Sequence, residues 1–94
     1  MVIIIDGLTI NSEEDLHDFF AKSFSLPDWY GRNLDALWDV LTGMVEKPIT
    51  IIWKNSETSK HRIANFEKII SLLKDVELRY KPYGESRAFK LILE

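Results

Sequence analysis

Two carboxylates one helical turn apart, Asp35 and Asp39, are the residues of this chain best placed to do chemistry. The segment around them, LPDWYGRNLDALWDVLTG from Leu26 to Gly43, predicts a helix that begins after Asn33. Leu34, Leu37, Trp38 and Leu41 recur at i, i+3, i+4 and i+7, an apolar stripe that requires a core. Asp35, Asp39 and Thr42 follow a second stripe turned about 100° from the first. Asn33 is expected to cap the helix, Asp35 suits the positive end of its dipole, and Gly43 is expected to close it in the left-handed conformation. Asp39 has no such local role. It has no Lys or Arg at i±3 or i±4, and a like charge one turn away disfavours an isolated helix.

An acidic stripe of this kind reads first as a solvated face. A catalytic carboxylate pair would need a cleft and a desolvated member with a raised pKa, which an outward helix stripe does not readily supply. A metal site fits poorly: Asp35, Asp39 and Glu46 lack calcium-loop spacing, and no Cys or paired His supports zinc. His17, between Leu16 and Asp18, reads as a capped or partly buried structural residue, and His61, between Lys60 and Arg62, as surface. With no Gly-rich phosphate loop, Gly-x-Ser-x-Gly or supported Ser/His/Asp set, neither an enzyme nor a cofactor is expected. Aromatics bordering a charged stripe are the usual chemistry of protein interfaces. Trp29 is therefore expected at an interface, while Tyr30 divides evenly between interface and core. Trp38 is expected to pack inward with one edge toward the acidic stripe, and Trp53 to lie in the core.

Composition sets the limits. A chain of 94 residues, 46% hydrophobic and 12% aromatic, suits a single domain that buries roughly 60% of its unfolded surface. The absence of cysteine excludes disulfide staples and thiol–zinc sites, and suits a reducing compartment. Met1 to Ile5 is too short for a signal h-region, and no run approaches the roughly 20 apolar residues of a membrane span. A cytoplasmic location with no membrane contact is expected. The net charge of −3 argues against nucleic acid as a direct ligand and is compatible with a basic protein partner.

Val2 to Ile5 predict a first strand, stopped by Asp6-Gly7. Ser12, with Asp15 three residues on, predicts the start of a helix to about Phe24, with Leu16, Phe19, Phe20 and Phe24 inward. A loop from Ser25 to Arg32 delivers the acidic helix. Pro48 precedes a second strand, Ile49 to Trp53. Ser56 is expected to cap a short helix through Ile63, and Asn65 a longer one to about Tyr80 with Phe66, Ile69, Ile70, Leu73 and Val76 inward. Pro82, Gly84 and Ser86 mark a loop, and Ala88 to Leu93 a last strand. Three strands separated by helical crossovers predict an α/β fold in the order β-α-α-β-α-α-β, its parallel sheet covered by about four helices.

Leu26-Pro27, Tyr30-Gly31, Asn33 through Asp39, Leu41-Thr42-Gly43, Glu46 and Pro48 together resemble the barstar family, intracellular protein inhibitors of a small secreted ribonuclease. Asp15-Leu16-His17, Trp53 and Ser59-Lys60 match at compatible spacing, and the final third matches only in its apolar pattern. The resemblance implies that the acidic helix and its preceding loop plug the nuclease active site. Asp39 would then stand in for a substrate phosphate, Asp35 would engage basic groups at the rim, and Trp29 would hold the place of a stacking aromatic. Tyr30, Gly31, Asn33, Leu34, Trp38, Thr42, Gly43, Met44 and Glu46 would complete the contact surface. The partner implied is a small basic ribonuclease, bound by a protein that is monomeric when free. Three departures stand out. Met44 replaces a family tryptophan, Arg32 replaces an acidic residue, and the fourth helix aligns only with a shift, so that its acidic contact falls on Asp75 or Glu77 or is lost. The alternative is an interaction module of the same fold whose basic partner is not a ribonuclease.

Overall fold

The computed structural model describes residues 1–94. Strand β1 (Val2–Asp6) forms from a β-branched run and ends where the Asp6 carboxylate accepts the Leu8 N–H at 2.9 Å. Helix α1 (Glu13–Ser23) starts at Ser12, whose hydroxyl accepts the Asp15 N–H, while the Asp15 carboxylate reaches back to the Asn11 N–H. Helix α2 spans Leu34–Gly43, strand β2 Ile49–Lys54, helix α3 Ser56–Arg62 and helix α4 Phe66–Tyr80. Two 3₁₀ turns, Lys81–Tyr83 and Glu85–Arg87, then lead to strand β3 (Phe89–Leu93). The sheet is parallel throughout, in the order β1-β2-β3, as the crossover spacing predicts. No helix is long and apolar enough to cross a membrane.

The core follows the alternation along the strands. Ile3, Ile5, Ile49, Ile51, Trp53 and Phe89 point to one side and join Leu16, Phe20, Leu37, Leu41, Ile69 and Leu73 from the helices and Ile63 from the link between α3 and α4. Trp53 is fully enclosed, donates its indole N–H to Ser59 Oγ at 2.9 Å, and meets the edge of Phe66. The opposite side of the sheet has no helical cover. Val2, Ile4 and Ile92 there are exposed, so the expectation of a covered parallel sheet holds for one face only. All four helices gather on the other.

Three expected caps are built differently. Gly43 is not a left-handed terminus: it lies in the last turn of α2, and Met44 follows at φ −124. Other groups take the helix-end carbonyls that such a glycine would satisfy. The Tyr80 hydroxyl donates to Thr42 O at 2.7 Å, and the Lys47 ammonium donates to Leu41 O and Val45 O. Asn55, in the left-handed conformation, precedes α3, while the Ser56 hydroxyl and N–H both donate to Glu94 O. Asn65 precedes α4 but its side chain does not cap it: its backbone, at φ −101 and ψ 25, lacks the extended conformation of a capping residue, and its amide donates to Glu13 at 2.8 Å.

Two glycines should respond in opposite directions. Gly7 donates to Lys54 O at 2.8 Å, and a Cβ there would lie 2.3 Å from Asn55 O and 2.5 Å from Ser59 Oγ. Gly7→Ala is expected to cost about 2 kcal/mol or more in urea unfolding, since backbone must move to admit the methyl. Gly43 has open space around it and a helical setting, so Gly43→Ala should stabilise by roughly 0.5–1 kcal/mol in the same measurement.

Candidate functional site

Packing decides the orientation of α2. Leu37, Val40 and Leu41 are buried, and the helix lies against α4, with Leu34 and Trp38 half-buried at the seam. That places Asp35 and Asp39 in solvent, and no cation of the chain pairs with either. Thr42 turns its hydroxyl back onto Trp38 O at 2.7 Å. Asn33 caps as the sequence predicts: its side-chain oxygen accepts the Ala36 N–H at 2.8 Å, and its amide donates to Gly31 O.

The loop ahead of α2 is held from beneath. Trp29 is 72% exposed, whereas Tyr30 is buried at 5% and belongs to the core. The buried His17 ring links the two layers: Nδ1 lies 2.6 Å from the Tyr30 hydroxyl, and Nε2 lies 3.0 Å from Glu13 Oε2. A neutral ring whose Nε2–H donates to Glu13 leaves Nδ1 to accept the Tyr30 O–H. The Asn65 amide, and then His17, hold the Glu13 carboxyl below its usual value. Burial pushes the Tyr30 phenol up to about 12, with Arg32 opposing and Glu13 adding to the shift. Arg32, at φ 54, turns the chain into α2 and pairs its guanidinium with Asp18. The residue that departs from the family pattern is thus tied back to α1. Gly31 is close-set, since a Cβ there would sit 3.2 Å from Ala36 Cβ.

Among the expected site residues, Trp29, Gly31, Asn33, Asp35, Asp39, Gly43, Met44 and Glu46 are exposed, and Leu34, Trp38 and Thr42 are half-buried. Tyr30 alone is buried, and so supports the loop from within rather than lending it surface. A groove of about 450 Å³ between α2 and α4 is lined by Leu34, Asp35, Trp38, Glu67, Lys68 and Asp75, among others. Asp75 therefore shares the acidic side with Asp35, whereas Glu77 lines a separate groove with Lys74, Lys81 and Lys90. Asp39 lies outside the α2–α4 groove, so the two carboxylates do not converge on one cleft there. Sequence reasoning missed two supports, Glu13 and Lys47. The signal for Lys47 was a cation just past a helix C-terminus, where it complements the dipole. The Lys47 ammonium also sits 4.2 Å from the centre of the Tyr80 ring.

A family model described as Barstar (barnase inhibitor) matches residues 1–94. A protein of Bacillus subtilis (strain 168) named "Putative ribonuclease inhibitor YrdF" is 39% identical over 93 residues, covering 98% of this chain and 97% of that protein.

Removing the Tyr30 hydroxyl tests how the loop is held. Tyr30→Phe leaves buried His17 Nδ1 without its donor and is expected to cost about 1–3 kcal/mol in urea unfolding at neutral pH. The sign with pH follows from the raised phenol. Its contribution is complete below the unfolded value of 10.0 and is lost as pH rises toward about 12. Wild type should therefore lose stability across that window, and Tyr30→Phe should lose less.

Proposed function

This chain belongs to the barstar family, and from that premise we propose that it inhibits a small basic ribonuclease by closing the enzyme's active site with α2 and the loop before it. The observation that carries the reading is the pair of solvent-facing carboxylates on α2, Asp35 and Asp39, left without a cation of their own. Family members are inhibitors rather than enzymes, and the relative from Bacillus subtilis carries that function in its name.

In this reading Asp39 occupies the place of a substrate phosphate and meets the cations that would otherwise bind RNA. Asp35 and Asp75 engage basic groups at the rim. Trp29 supplies a large exposed ring over the catalytic residues, and Gly31, Asn33, Leu34, Trp38, Thr42, Gly43, Met44 and Glu46 pack around the plug. Tyr30 stays inside, holding the loop through His17. Asp28, exposed beside Trp29, adds to the same negative field. A cationic pocket turns that field into attraction and speeds encounter, which explains how a chain of only −3 overall can recruit a basic partner. Blocking the pocket excludes RNA, so inhibition is competitive and needs no cofactor. A cytoplasmic location, where the cell would neutralise its own nuclease before export, belongs to the same proposal.

Titration calorimetry against a small basic ribonuclease, paired with an RNA-cleavage assay, tests it. Asp39→Ala is expected to weaken binding by several kcal/mol, a magnitude that follows the family's own reference case. Arg32→Glu breaks the pair with Asp18 and is expected to change mainly the association rate. Equal affinities for wild type and Asp39→Ala would end the phosphate-mimic reading. Capture of a basic partner without nuclease activity would favour the interaction module instead.

A further inference from the structure

The uncovered face of the sheet has a readable pattern. Strand register sets it out in rows: Val2, Thr50 and Lys90 in one, and Ile4, Ile52 and Ile92 in the next. Asp6 pairs with Lys54 in the third row, and Glu94 continues it, since its N–H donates to Trp53 O at 2.8 Å and alternation turns its side chain to the same face. Val2 is 63% exposed, Ile4 52% and Ile92 43%. The face is therefore an apolar band with a lysine at one end of β3 and a carboxylate at the other. Parallel sheets almost always have both faces covered, because their strands are apolar on both sides. Here the second cover is missing while the apolar side chains remain.

We propose that this face is the contact by which two copies of the chain associate, sheet against sheet with their strands antiparallel. Charge selects both occupant and orientation. A two-fold axis lying across the strands at the Ile4–Ile52–Ile92 row stacks each isoleucine on its own counterpart. The same axis brings Lys90 of each copy over Glu94 of the other, giving two opposite-charge pairs. An axis along the strands would instead set Lys54 on Lys54 and Asp6 on Glu94, which like-charge repulsion disfavours. Lys90 has an exposed intramolecular partner, Glu85, at 2.7 Å, and a pair of that kind is weak enough to exchange.

Area sets the strength. Three strands about 4.8 Å apart and five residues long give a footprint on the order of 250 Å² per copy, against about 800 Å² per partner in a standard stable interface. The dimer is thus weak, and the monomer prevails at low concentration. The α2 surface lies in the helical layer on the other side of the sheet, so dimerisation leaves it free. Failure of this proposal leaves the nuclease reading intact, and the reverse also holds.

Sedimentation and amide chemical shifts, followed from micromolar to millimolar protein at physiological salt, test it. Wild type should associate with shifts concentrated in β1, β2 and β3, while Ile4→Lys, a change at an exposed position, should remain folded and monomeric. Lys90→Glu and Glu94→Lys should each raise the dissociation constant about tenfold, and the double variant should return to within about twofold of wild type. A monomer at millimolar concentration, shifts confined to α2, or a double variant no tighter than the single ones would overturn it.

Discussion

Burial of Leu37, Val40 and Leu41 beneath α2 fixes the direction of every polar side chain that helix carries. A helix of ten residues with one apolar stripe has a single good rotation against the sheet and α4. That rotation turns Asp35 and Asp39 outward as a consequence of core packing. The acidic display and the stability of the domain therefore rest on the same residues, and the carboxylates are held by a helix that cannot roll without opening the core.

Both ends of α2 are fastened, by neighbouring residues and by groups distant in sequence. At the entrance, Asn33 caps the first turn while Tyr30 reaches down to His17 and Arg32 reaches across to Asp18. At the exit, Tyr80 and Lys47 take carbonyls that would otherwise face water or lie unpaired. Every buried side-chain polar atom in the chain has a partner. Such fastening leaves the loop little freedom to lose, which is what the proposed docking would require. Trp29 is the exposed exception, a large ring presented by a backbone held on both sides.

One-sided cover of the sheet is the other organising fact. In a small domain, four helices on one face leave no material for the second, and among the strand residues that alternate outward Val2, Ile4, Ile52 and Ile92 stay apolar. The molecule thus has two chemically distinct sides: a helical layer bearing the carboxylates of α2, and an apolar band with charges at its ends.

Much of this was legible in the residues alone. The β-branched runs, the 3.6-residue periodicities of α2 and α4, and the Ser12 and Asn33 caps gave the order of elements and the parallel sheet, because these are local patterns with local causes. The acidic stripe and the exposure of Trp29 were legible for the same reason. Tertiary structure alone decided the matters that depend on distant partners. Tyr30 is a core residue because His17, thirteen positions earlier, offers it an acceptor. Gly43 needs no left-handed turn because Tyr80 supplies the missing donor from α4. Asn65 leaves its helix without a side-chain cap because its backbone is not extended there, while its amide is held by Glu13 from α1. Which face of the sheet stays open is equally invisible to periodicity, which records that a side chain is apolar but not whether anything in the folded chain arrives to cover it.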